Sequence, residues 1–139
     1  MTQSISASII RPQAPEAGVA MQPITKLTIA WTSAADGSVN ASVVDEWGET
    51  VKVSGILMRV VTIPSAVTAP TDQYDIQILD NNSVDILNGA GADRSDASTE
   101  QMCPLVSSAV EVTIAATTIT LVIANAGDTK SGTVYLYLI

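Results

Sequence analysis

The sequence predicts an all-β domain, a β-sandwich or jelly roll of about seven or eight strands with an extended N-terminal arm. Apolar and polar side chains alternate in several short segments, and turn-forming Gly, Asn, Asp and Pro separate these segments. No stretch keeps a helical period for longer than a turn or two. A chain of 139 residues fits one domain with a core of its own.

Residues 1–23 form the predicted arm, and residues 24–139 the predicted domain. Three prolines break any regular element in the arm. Its apolar residues include Ile5, Ile9 and Ile10, which a solvated tail would not need. We therefore expect these isoleucines to contact a neighbouring subunit, with a disordered tail as the alternative.

The domain shows the period of two that is typical of half-buried strands. In residues 24–32 the side chains of Leu27, Ile29 and Trp31 share one face, which predicts that Trp31 lies in the core. The predicted strands are residues 24–32, 39–44, 50–63, 74–80, 84–87, 106–114, 119–124 and 133–139.

Residues 50–63 are too long for one regular strand, and their apolar parity changes at Gly55. This change predicts a β-bulge or a bend between sheets. Residues 80–83 are all turn formers, so residues 84–87 are expected to return as a hairpin partner. Residues 115–118 are expected to be a tight connection, and residues 88–101 a long polar loop.

The charge of the chain argues against two classes of partner. The formal net charge is −8, and only six Lys and Arg residues are present, all scattered. Nucleic acid and anionic membrane are therefore not expected as partners, because both are bound by clustered cations. Neither a secretory signal nor a long apolar segment is recognisable, so we expect a protein made in a cytoplasm-like compartment.

The side chains available for catalysis are few. The chain has no His, which excludes Ser-His and Cys-His nucleophile systems and imidazole metal sites. Cys103 is the single cysteine, so no disulfide within the chain is possible, and we expect it to be a small buried hydrophobe beside Pro104. We predict no enzyme activity, no cofactor and no metal.

Seven acidic residues lie between positions 72 and 100, and we expect them to form a solvated face. Calcium on the turn at residues 80–85 is one alternative, but that turn lacks the Gly and the distal Glu of an EF-hand loop. A glycosidase carboxylate pair is another, but the chain has few aromatics to stack on sugars. Residues 89–94 look only superficially like a phosphate loop, and are expected to be a flexible loop ending in Arg94.

Trp47 lies among three acids in residues 45–49, which predicts a loop tip. A Trp in an acidic loop is a candidate interface anchor.

Three segments resemble small β-rich virion structural proteins of tailed bacteriophages. They are residues 74–80 (YDIQILD), residues 84–95 (VDILNGAGADRS) and residues 121–138 (LVIANAGDTKSGTVYLYL). The resemblance covers about residues 57–139. It implies a structural role, as a capsid decoration (cement) subunit or as part of the neck or tail, and transfers no individual functional residue.

These observations together predict a cement protein on the exterior of the virion. Its expected partners are the major capsid protein and copies of itself, as a dimer or trimer. The expected contacts are the arm, the loop at Trp47 and residues 88–101, which contain Arg94. The alternative is a neck or tail component, or a receptor- or carbohydrate-binding module at a tail tip, which would need an exposed aromatic platform from Trp47 and Tyr135 or Tyr137.

Overall fold

A computed structural model describes residues 2–11 and 24–139. It confirms the predicted all-β, single-domain fold: these residues contain no helix and form ten strands in two antiparallel sheets. The strands are β1 (Ser4–Ile10), β2 (Thr25–Thr32), β3 (Val39–Ser42), β4 (Lys52–Pro64), β5 (Asp75–Leu79), β6 (Glu100–Met102), β7 (Leu105–Val106), β8 (Val110–Thr118), β9 (Thr120–Ala124) and β10 (Ser131–Leu138).

The larger sheet has the order β1-β2-β10-β4-β8-β7. Strand β4 is 13 residues long and pairs along both of its edges. One edge pairs with β10, while the other pairs with β8 near the start of β4 and with β6 over residues 60–62. Strand β10 lies between β2 and β4, so the last strand of the chain is central to the sheet.

The smaller sheet has the order β3-β9-β5. Buried side chains from both sheets form one apolar cluster, which gives a sandwich-like arrangement with a shared core. The largest fully buried side chains are Leu27, Ile29, Leu57, Tyr74, Ile76, Ile78, Leu87, Ile119, Leu121, Ile123, Leu136 and Leu138.

The predicted irregularity at Gly55 is a β-bulge. The register between β4 and β8 shifts between Val53 and Gly55, and Gly55 has a φ of +122°. A Cβ at this position would lie 2.6 Å from the backbone oxygen of Ile139. Only Gly avoids both the strained φ and this contact.

The N-terminal residues differ from the predicted arm, because residues 4–10 are strand β1 of the same sheet. Ala7 pairs with Ile29 of β2, and Ala7 is only 3% exposed. Ile5, Ala7 and Ile9 alternate with serines and pack on the inner side of the sheet. This period of two is present in the sequence, but the prolines that follow it led to the prediction of an arm, and the pairing with β2 could not be predicted from it. Residues 12–23, the rest of the predicted arm, lie outside the described residues.

Two further predictions of local structure need correction. Residues 84–87 return beside β5 in antiparallel orientation, as expected of a hairpin partner, but they form one bridge, between Leu79 and Asp85, and no strand. The predicted connection at residues 115–118 is the end of β8, and the chain passes from the larger to the smaller sheet at Ile119 instead. Apolar periodicity reports which residues are buried, and it does not say to which sheet they belong.

The edges of the smaller sheet are covered by other parts of the chain. The N–H of Ile76 in β5 donates to the carbonyl of Gly91 at 2.8 Å, and a Cβ at Gly91 would clash with the Ile76 carbonyl. On the opposite edge, the side-chain amide of Gln3 exchanges two hydrogen bonds with the backbone of Asn40 in β3, at 2.7 and 2.9 Å. These contacts pair backbone groups that would otherwise form an open sheet edge.

Candidate binding surfaces

Trp47 is the most exposed aromatic side chain among the described residues, at 79% of its full accessibility. It lies at the tip of residues 45–49, which we call the Trp47 turn. Glu46 and Glu49 on either side of it are also exposed. The structure therefore agrees with the expected loop tip, and it presents an indole flanked by two negative charges.

The Trp47 turn is held in place by hydrogen bonds to Asp45. One carboxylate oxygen of Asp45 accepts the backbone N–H groups of Trp47 and Glu49, each at 2.9 Å. The carbonyl of Asp45 also accepts the N–H of Gly48 at 3.0 Å. A turn fixed in this way loses less conformational entropy when its exposed side chain binds a partner.

A second surface lies on the outer face of the larger sheet and was not predicted as a unit. Lys26, Tyr137 and Arg59 stand opposite one another across β2, β10 and β4. Tyr135 occupies the neighbouring outward position of β10. The uncharged side chain of Gln101 in β6 accepts a hydrogen bond from the Nε–H of Arg59 at 2.9 Å. We call these five residues the tyrosine–cation face.

The two cations lie close to the tyrosine rings. The Nζ of Lys26 is 4.4 Å from the ring centroid of Tyr135 and 5.8 Å from that of Tyr137. The Cζ of Arg59 is 5.3 Å from the Tyr137 centroid. The rings themselves are 6.5 Å apart and nearly perpendicular. These distances lie within the range of cation–π and edge-to-face attraction, so the side chains hold one another in place.

The positions on the β2 and β10 side of this face carry no acid, whereas exposed Glu111 of β8 lies beyond its β4 side. The outward positions of β2, β10 and residues 59–63 of β4 hold only Lys, Arg, Tyr, Thr, Ser, Ala, Val and Ile. Two of the six cations of the chain lie here, in a protein with 14 acids. The face thus carries two positive charges in a molecule whose net charge is −8.

The three N-terminal isoleucines proposed as interface residues have different environments. Ile5 and Ile9 are partly buried and pack against the core. Ile10 points the other way and is 51% exposed. Within β1, only Ile10 is thus presented to a partner.

Arg94, the fifth candidate interface residue, makes its contacts within the chain. Its Nε and Nη2 donate to the carbonyl of Ala92 at 3.0 and 2.9 Å. Its Nη1 lies 3.7 Å from Glu100, and its backbone bridges to Tyr74. These contacts hold residues 89–94 against the smaller sheet.

Several carboxylates of residues 72–100 accept backbone hydrogen bonds. Asp80 accepts the N–H groups of Asn82 and Val84, which confirms a hydrogen-bonded turn at residues 80–85. Asp85 accepts three N–H groups, including that of Ile78 in β5. In the described part of the chain, no group of three or more His, Cys, Asp or Glu residues could hold a metal ion. The acids therefore shape the loops, a role that composition did not indicate.

Cys103 is exposed, which overturns the prediction that it is a buried hydrophobe. It lines a groove together with Met58, Arg59, Gln101 and Met102. Strand β6 ends at Met102, so the chain has left the sheet at position 103. The exposure of Cys103 is thus set by the path of the chain between β6 and β7 and not by the residue type.

Sequence reasoning found Trp47 but missed the tyrosine–cation face. The alternation of Tyr135 and Tyr137 on the outward side of β10 was the signal in the sequence. The positions of Lys26 and Arg59 beside them depend on the register between neighbouring strands, which the sequence does not show.

Over the described residues, no helix is long and apolar enough to cross a membrane. No protein-family model, curated protein or solved structure matches the chain.

Proposed function

We propose that the chain is a non-enzymatic structural protein of a tailed-phage virion, most specifically a decoration protein that binds and stabilises the outer surface of the capsid. The observation that carries the proposal is the Trp47 turn, where a rigid loop presents a solvent-exposed indole. Exposed Trp residues at the centre of an interface supply a large share of binding energy. The indole has no structural use in the isolated domain.

Three further features support this role. The sandwich-like core and the covered edges of the smaller sheet favour a domain whose strands do not pair with those of other molecules. The net charge of −8 complements a basic capsid surface. The segments at residues 74–80, 84–95 and 121–138 resemble virion proteins of this class.

The test is attachment of the purified protein to capsids that lack it. Trp47→Ala is expected to weaken attachment by roughly 30-fold or more, because an interface anchor contributes at least about 2 kcal/mol. Val67→Ala is the matched control, since Val67 is 92% exposed and also apolar. It is expected to bind like the unchanged protein.

The number of copies on each particle decides the location. One copy or oligomer at every equivalent position of the capsid lattice supports decoration. A single ring of copies on each particle instead supports a location in the neck or tail. Failure of the unchanged protein to attach to any part of the particle would reject the proposal.

A receptor- or carbohydrate-binding module is the second candidate, favoured by the pairing of Tyr135 and Tyr137 on an open sheet face. Stacking on sugar rings requires free aromatic faces, and Lys26 occupies one face of Tyr135. Under this function, the isolated protein would bind host cells, and Tyr137→Ala would abolish the binding while Trp47→Ala would not.

A further inference from the structure

Two exposed surfaces of this chain are complementary to each other. The Trp47 turn places an aromatic ring between two acids, Glu46 and Glu49. The tyrosine–cation face places aromatic rings between two cations, Lys26 and Arg59. We propose that the Trp47 turn of one copy docks on the tyrosine–cation face of a second copy, so that the protein assembles with itself through these two surfaces. The inference rests on the proposed structural role and assigns Trp47 to the contact between copies, so that Trp47→Ala weakens attachment to capsids because neighbouring copies no longer hold one another there.

The two surfaces lie at different places on one molecule. The Trp47 turn adjoins the outer edge of β1, where Asp45 bridges to Ala7. The tyrosine–cation face is centred on β10, and β2 lies between β1 and β10. With adjacent strands about 4.8 Å apart, the turn lies well to the side of the face. The 79% exposure of Trp47 agrees with the absence of a contact within the chain.

The charges of the two surfaces favour a second copy of the chain as the partner. The tyrosine–cation face carries two positive charges, and the neighbouring outward positions of β2 and β10 carry no acid, so it attracts an acidic surface. The Trp47 turn supplies that surface together with an indole that can pack against tyrosine rings and lie near the cations. The same docking repeated between identical chains gives a reciprocal dimer or a closed ring, which are the symmetric forms open to a homo-oligomer.

The experiment is a charge exchange between the two surfaces, read out by the mass of the full-length protein in sedimentation over a range of concentrations. Lys26→Glu with Arg59→Glu makes the face negative, and Glu46→Lys with Glu49→Lys makes the turn positive. Each double variant alone is expected to associate at least about 10-fold more weakly than the unchanged protein, because like charges then face each other. An equimolar mixture of the two is expected to associate again, since each supplies the surface that complements the other.

Two further measurements sharpen this test. Trp47→Ala is expected to weaken self-association by roughly 30-fold or more, and added salt is expected to weaken it in the unchanged protein. Lys130→Glu is the control for a charge reversal away from both surfaces, since Lys130 precedes β10 at the end opposite to Tyr137, and is expected to leave self-association unchanged. Circular dichroism of every variant confirms that each one folds.

The inference is rejected if the unchanged protein stays a monomer at all concentrations. It is also rejected if both double variants associate as well as the unchanged protein, or if their mixture remains monomeric. A monomer that still attaches to capsids leaves the proposed function standing without this contact. An oligomer of the expected behaviour that does not attach to capsids supports the contact and rejects the capsid location.

Discussion

Tyr74 illustrates how a single buried side chain links the two sheets. It is 1% exposed, and its ring lies 5.7 Å from that of Trp31 in β2. Burial raises the pKa of Tyr74 to about 12, with a smaller contribution from the negative charge of Glu100 and an opposing one from Arg94. The folded protein therefore binds the phenolic proton more tightly than the unfolded chain, whose tyrosine pKa is about 10.

This difference predicts a loss of stability at alkaline pH. The contribution of Tyr74 is complete below about pH 10 and declines as the pH rises toward 12, by about 1.4 kcal/mol per unit and about 2–3 kcal/mol in total. In urea titrations, the free energy of unfolding of Tyr74→Phe should fall less steeply than that of the unchanged protein in this range. The two proteins should show no such divergence below about pH 9. Parallel curves up to pH 12 would contradict the assignment.

Strand β1 is an element whose role the sequence alone did not reveal. Its outward residues are Ser4, Ser6, Ser8 and Ile10, while Ala7 faces the core and is 3% exposed. The N–H of Ala7 also donates to the carbonyl of Val44 at 3.0 Å, which ties β1 to the chain that leads out of β3. The element thus belongs to the folded domain, at least over residues 4–10.

A matched pair of substitutions tests this placement. Ala7→Asp puts an unpaired charge into the core and is expected to destabilise the protein by about 3 kcal/mol or more. Ser6→Asp changes the neighbouring residue, whose side chain is exposed, and is expected to change stability by less than about 0.5 kcal/mol. Thermal or urea unfolding measures both. Equal stability of the two variants would show that β1 is not docked as described.

The whole molecule has one apolar core to which both sheets contribute. Ile119 marks a direct crossing from β8 in one sheet to β9 in the other, and residue 119 is 1% exposed. Neither sheet can separate without exposing the side chains that cover the other. Small domains with one shared core generally unfold in a single cooperative step.

The two tryptophans allow this cooperativity to be measured. Trp47→Phe leaves Trp31 as the only Trp, buried beside Tyr74 at the contact between the sheets. During urea unfolding, its fluorescence and the far-ultraviolet circular dichroism should change at the same midpoint. A fluorescence change that precedes the loss of strand signal would mean that the sheets separate first. Trp47→Phe itself should leave stability unchanged, because Trp47 is exposed.

Local patterns were sufficient for the fold class, for most strands and for three particular residues. The alternation in residues 24–32 placed Trp31 in the core, the parity change located the bulge at Gly55, and the acidic turn identified Trp47 as exposed. Each of these features depends on side chains within a few positions of one another, because strand alternation and turn preference are local properties of the backbone.

The sequence by itself determined an acidic, all-β chain without histidine and with an exposed tryptophan turn. Only the tertiary structure decided that β1 completes the larger sheet, that Cys103 is exposed, and that Lys26 and Arg59 flank the tyrosines of β10. Each of these depends on which strands become neighbours and in what register. Pairing of distant segments is set by the packing of the whole core and leaves no local pattern in the chain.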